Sequence, residues 1–188
     1  WWVALAVLAV LLSAGLPRLS IFFKGNRMVT NANEMVAGLH VARSEAIKRG
    51  SRVSICKSTN AGDANPTCSK DATGWETGWI VFVEGRESGN AIGEYGGTDN
   101  PILRVNTGAE GNNVTIKTSN TGIGNYVSFT SRGTPKLASG NTQSGVFMVC
   151  DDRGFKNAAG SVIARGIVLN ASGRVRVTND EARIKACQ

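Results

Sequence analysis

The sequence predicts an α+β fold in which a long N-terminal helix packs on an antiparallel β-sheet head. Three observations predict it. Residues Trp1 to Leu16 carry no charge, and Ser13 is their only polar side chain. From Pro17 to Gly50 apolar residues recur at alternating steps of four and three, the spacing of one helix face. After Gly50 the pattern changes to short β-rich runs separated by turn residues, and strands that follow one helix place that helix over a sheet.

The helix comes first. Met28, Ala32, Met35, Leu39, Ala42 and Ala46 line its apolar face, with Val36 and Ile47 beside them, while Arg27, Asn31, Glu34, Glu45 and Lys48 occupy the opposite face. Gly50 is a natural stop, and Lys48 and Arg49 suit the negative end of the helix dipole. Sixteen apolar residues fall short of the roughly 20 that span a bilayer. The helical pattern nevertheless continues past Pro17 without the small-residue cleavage site that would follow a signal peptide. A proline inside a helix removes one hydrogen bond, which is tolerated in lipid where neighbouring helices satisfy the backbone. Residues 1–23 therefore read as a hydrophobic half of the helix, transmembrane or in a filament core against other apolar helices, with Arg18, Lys24 and Arg27 placed to meet anionic head groups. Residues 24–188 read as the head: an amphipathic helix half over 24–50 and a β-rich domain over 51–188.

The strands are expected at Val53 to Cys56, Trp79 to Val83, Ile102 to Val105, Val114 to Lys117, Tyr126 to Phe129, Gly145 to Cys150, Ser161 to Leu169 and Arg174 to Val177. The run Trp79 to Val83 is apolar throughout and reads as buried on both faces. Asn170-Ala171-Ser172-Gly173 reads as the turn between the last two strands. Residues 85–100 read as a loop, and no internal repeat is evident.

Chemistry-bearing signals are few. His40 is the sole histidine, it lies inside the helix, and no Cys-x-x-Cys occurs, so neither a zinc site nor a nucleophile–base pair is expected. Gly122-Ile123-Gly124 lacks the third glycine of a dinucleotide loop and reads as a turn. Asn113-Val114-Thr115 and Asn170-Ala171-Ser172 match the glycosylation sequon, a loose motif. The chain reads as a non-enzyme without a cofactor or metal. Four cysteines, Cys56, Cys68, Cys150 and Cys187, suit disulfides in an exported chain, and three pairings are open. Cys56–Cys68 would staple a polar loop, and Cys150–Cys187 would tie down a loose chain end. Free buried thiols are the alternative.

Charge is uneven. Residues 1–52 are net +5, residues 53–150 net −1 and residues 151–188 net +3. The last excess includes Gly173-Arg174-Val175-Arg176. Residues two apart in a strand share a side, so Arg174 and Arg176 present two guanidiniums roughly 6.6 Å apart at the backbone, with Val175 turned inward. The planar fork of arginine suits phosphate oxygens and keeps its charge at physiological pH. Arg165 on the preceding strand, and Arg183 and Lys185 in the tail, are expected to join the same surface. Arg43, on the helix, is expected to stand away from it. The competing reading is a solvated edge that guards against strand pairing.

The helix, with Asn26 to Leu39 and Ala42 to Gly50, resembles that of type IV pilins and pseudopilins, and of their GspH/FimT branch in particular. Gly74-Trp75-Glu76-Thr77-Gly78-Trp79-Ile80-Val81-Phe82-Val83 carries the same resemblance, which spans the chain. Pro17 falls where that family has a kink-forming proline. The family's processing motif, expected just upstream of Trp1, is absent, and the chain reads as trimmed there. The Gly-Arg-x-Arg element is similar to the one associated with DNA binding in FimT-type minor pilins of naturally transformable bacteria. The resemblance implies an inner-membrane protein with its head in the periplasm, assembled with other pilins into an extracellular pilus. It also implies non-specific binding of double-stranded DNA for uptake. The alternative it implies is a purely structural minor pilin or type II secretion pseudopilin.

Overall fold

The structure is a computed structural model and describes residues 1–71, 73–85, 91–95, 100–108, 113–157, 159–184 and 187, with the side chains of 5–22 excepted. Helix α1 runs from Trp2 to Arg49 and ends at Gly50 in the left-handed conformation, φ +61°. Eight strands follow: β1 Val53–Lys57, β2 Trp79–Val83, β3 Ile102–Asn106, β4 Val114–Thr118, β5 Tyr126–Phe129, β6 Gly145–Asp151, β7 Arg165–Leu169 and β8 Val175–Thr178. A short helix, α2, spans Glu181–Ile184. Among the described residues no helix is long and apolar enough to cross a membrane. Most of the expected anchor, residues 1–23, has its side chains outside the described residues.

The strands form two antiparallel sheets instead of the one expected. Their orders are β3-β2-β1-β5 and β4-β6-β7-β8. The reason lies in the burial pattern. The expected helix face is the one that is buried, Met28, Ala32, Met35, Leu39, Ala42 and Ala46 all being 3 % exposed or less. It meets inner residues of both sheets in one core: Val53, Ile55, Val81, Val127 and Phe129 from the first, Val114, Ile116, Phe147, Val149, Ile167, Leu169 and Val175 from the second. A helix face some 100° wide offers room for two sheet faces converging on it. Gly38 sets the closest approach. A Cβ there would stand 2.6 Å from the indole of Trp79, so glycine is what lets that ring lie against the helix.

The outer faces are also covered, which is why β1, β2 and β6 show little of the period-2 alternation of a half-exposed strand. Each cover is pinned by one disulfide. Cys56–Cys68, Cα–Cα 5.6 Å, holds its loop over Ile80 and Phe82 on the first sheet. Cys150–Cys187, Cα–Cα 5.8 Å, holds the tail over the second sheet, where Ile184 of α2 is fully buried with Val146, Met148, Ala164 and Val168.

The strand expected from Ser161 begins only at Arg165. The residues described in 154–157 and 159–164 make a small hairpin of their own, bridged at Lys156↔Val162 and closed by Asn157 and Ser161, after a tight turn bridged at Asp151↔Gly154. Two sheet edges are capped by side chains. Gln143, 1 % exposed, accepts from Ser128 N at 2.8 Å and donates to Tyr126 O at 2.9 Å and Gly122 O at 2.7 Å, standing in for a neighbour of β5. Glu76 accepts from Ile116 N at 2.7 Å on the outer side of β4.

Candidate nucleic-acid interface

The Asn170-to-Arg174 turn decides where the arginines point. Gly173 N donates to Asn170 O at 2.8 Å and Asn170 N to Arg174 O at 3.0 Å. Gly173 has φ +79°, the left-handed residue that follows a type I turn in a three-residue hairpin loop. This turn sets Leu169 opposite Val175 and Val168 opposite Arg176. Val175 therefore shares the inner face with Leu169 and is buried. Arg176 shares the outer face with Val168, beside the tail, and Arg174, two residues earlier, has the same parity. Both arginines are exposed, and neither makes an ion pair or side-chain hydrogen bond among the described residues.

The other expected members separate from this pair. Arg165 lies opposite Val149, which faces the inner core, so its parity is that of the opposite face from Arg176. It also sits level with Asn179, to which it donates at 2.6 Å, some 16 Å along the strand from Arg174. Sequence proximity placed it on the neighbouring strand; the even–odd register removes it from the surface. Arg183 is exposed in α2 but pairs with Asp180, Nε to Oδ2 3.4 Å. Lys185 lies outside the described residues. The tail's acids are engaged as well, Glu181 with Lys156 at 2.8 Å.

Arg43 is not remote. Its guanidinium donates to Ser172 O at 3.3 Å, inside the arginine-bearing turn, and its Nε is buried without an acceptor. The last turns of α1 run beneath β8, and this reach over 129 positions of sequence is invisible to a linear reading. A second turn meets the first at the same place. In residues 130–134 Gly133 N donates to Thr130 O at 2.8 Å and Thr130 N to Thr134 O at 3.0 Å, with Gly133 at φ +74°. The two turns have the same bonds and the same left-handed glycine, and they pack glycine on glycine. A Cβ on Gly173 would collide with the carbonyl oxygen of Gly133, and Arg43 Nε lies 3.2 Å from the Cβ position of either. Arg132, next to Gly133, is exposed, with no ion pair or side-chain hydrogen bond among the described residues. Arg132 is not among the residues expected from the sequence. The signal was present, since Thr-Ser-Arg-Gly-Thr places its glycine as Asn-Ala-Ser-Gly-Arg does.

Elsewhere the geometry offers little chemistry. A cleft of about 450 Å³ opens beside β4, lined by Lys57, Trp75, Glu76 and Lys117 among others. Lys57 there is committed to the carbonyls of Asp71 and Thr73, and Glu76 to the β4 edge. His40 is exposed, and no metal-binding cluster occurs among the described residues.

Residues 31–173 match the family described as type II transport protein GspH. Arg174, Arg176 and the tail lie just past that match. No curated protein matches the chain in sequence. Among solved structures the chain is similar to the type IV minor pilin FimU of Pseudomonas aeruginosa in two crystal forms. One gives a TM-score of 0.55 at 20 % identity over 84 % of this chain and 92 % of that one. The other gives 0.50 at 20 % identity over 79 % and 90 %. At this identity the likeness is one of fold.

Proposed function

We propose that this chain, which belongs to the GspH family, serves as a minor pilin whose β7–β8 turn captures extracellular double-stranded DNA for uptake by a pilus. The family is one of pilins and pseudopilins, filament subunits and not enzymes. The single observation that carries the DNA reading is the pair Arg174 and Arg176: exposed, two residues apart where the turn enters β8, without an ion pair among the described residues and flanking a turn of defined hydrogen bonds. Such a pair suits phosphate oxygens, and phosphate contacts position a protein on DNA without reading sequence. Residues 1–23 would anchor the chain in the inner membrane with its head in the periplasm, and then pack among other pilins in the filament.

The second reading is a purely structural minor pilin or secretion pseudopilin. It is favoured by the place of Arg176 on β8 and Arg174 just before it, at an edge strand of the sheet, where charge also discourages strand pairing. Anisotropy titrations of the full chain in non-ionic detergent, with a duplex of arbitrary sequence, separate the two. Binding is expected in the micromolar range or weaker, falling with salt at a log–log slope of about −0.9 per phosphate neutralised. Arg174→Ala with Arg176→Ala should lower that slope by about 1.8. Unchanged binding by the double variant would leave the structural reading in place.

A further inference from the structure

We infer that the phosphate-binding surface is built from two turns, with Arg132 of the 130–134 turn as its third cation. The inference rests on the DNA reading above and extends it to a residue 42 positions away in sequence. Three observations carry it. First, the Gly133–Gly173 contact is backbone against backbone, so no side-chain rearrangement can part the turns. Each arginine is the chain neighbour of a packed glycine, which keeps the Cα atoms of Arg132 and Arg174 within about 14 Å of one another. An arginine side chain on each side of that gap can reach phosphates of one duplex, whose charges recur every 1.7 Å or so along the axis.

Second, Arg132 resembles Arg174 and Arg176 in its lack of a partner. Most cations of the described head are engaged: Lys24 with Asp152, Arg49 with Glu45, Arg104 with Glu34, Arg153 with Asp151 and Lys156 with Glu181. Arg27, Lys117, Arg132, Lys136, Arg174 and Arg176 make no such bond among the described residues, and of these the glycine contact sets the turns of Arg132 and Arg174 side by side. Third, Arg43 lies against both turns and is hydrogen-bonded to one of them. Its buried Nε lies 3.2 Å from the Cβ position of either glycine and its guanidinium donates to Ser172 O, so the turns that carry Arg132 and Arg174 meet against one side chain of α1. Fixed spacing reduces the side-chain and loop ordering that binding would otherwise cost.

The test compares salt slopes of the full chain in non-ionic detergent with a 30-base-pair duplex as probe. Arg132→Gln should reduce the slope by about 0.9, which is about a fivefold loss of affinity at 0.15 M salt. Arg132→Lys should keep the slope, because the charge stays. Arg27→Gln removes the same charge from an exposed position some 24 Å down the helix from Arg43 and should leave the slope as it was. Thermal melts should place all three with the parent. If Arg132→Gln tracks Arg27→Gln while Arg174→Ala with Arg176→Ala loses slope, the two-turn surface is wrong and the DNA reading stands. If the parent itself shows no salt-dependent binding, both fall together.

Discussion

Arg43 shows how one side chain links a helix to a turn that a linear reading keeps apart. It donates to Ser172 O, fills the space beside Gly133 and Gly173, and leaves Nε buried without an acceptor. Its removal should loosen the turn without removing a contact to phosphate. Arg43→Ala is therefore expected to lower DNA affinity at every salt concentration while the salt slope stays that of the parent, in contrast to Arg132→Gln. A slope reduced by about 0.9 would instead make Arg43 a direct phosphate contact. At this scale the sequence was legible where a residue's role follows from its immediate neighbours. The parity of Arg174, Val175 and Arg176 is a property of any strand. Arg165 shows the limit, since parity between strands depends on register, and register depends on which of four residues in a turn carries the left-handed glycine.

The elements were legible for a similar reason. The helix face and all eight strands are periodic or apolar runs, and their placement follows from spacing. The division into two sheets was not, because β4 pairs with β6 across a connection of more than twenty residues, and pairing partners leave no local mark. Ser54, the second residue of β1, makes a contact of this non-local kind. It donates to Glu84 Oε1, which also accepts from Gly93 N at 2.7 Å. Burial pushes the Glu84 carboxyl above the usual carboxylate range, against the opposing pull of Ser54, Gly93 and Arg52. A carboxyl whose folded pKa is raised binds its proton more tightly in the folded chain. Its contribution to stability is thus present at low pH and lost as pH rises through the folded value. Glu84→Gln keeps an acceptor for both donors and removes the ionisation. Its melting temperature should match the parent near pH 4 and exceed it near pH 8. A constant difference between the two across that range would assign no such role to Glu84.

At the scale of the whole molecule, two disulfide-pinned covers bury the outer faces of the central strands β1, β2 and β6, while β4 and β8 keep exposed outer positions. The tail has little else to hold it, since α2 is four residues long and only Ile184 is buried among the described tail residues after β8. Replacing Cys150 and Cys187 by serine should cost about 2–5 kcal/mol, read from denaturant midpoints, and expose the cluster around Met148. The Cys56–Cys68 pair closes a shorter loop, 12 positions against 37, and its loss should cost less on the entropic account. Equal losses would mean that covered surface, and not loop closure, sets the stability. The anchor is tested by partition. The full chain is expected in the detergent or membrane fraction, and a version that starts at Lys24 in the aqueous one.

Gln143 has a consequence for crowded conditions. An edge strand normally offers a template onto which a neighbouring copy can add. On β5 the amide of Gln143 occupies Ser128 N and Tyr126 O, and Lys136 N takes Ser128 O. On β4 Glu76 occupies Ile116 N. Subunits concentrated side by side in two dimensions would find the ladder of β5 already occupied and that of β4 interrupted at Ile116. Their heads could then jostle at high density without zipping together along those edges, and the order of any array they build would have to be written by some other surface.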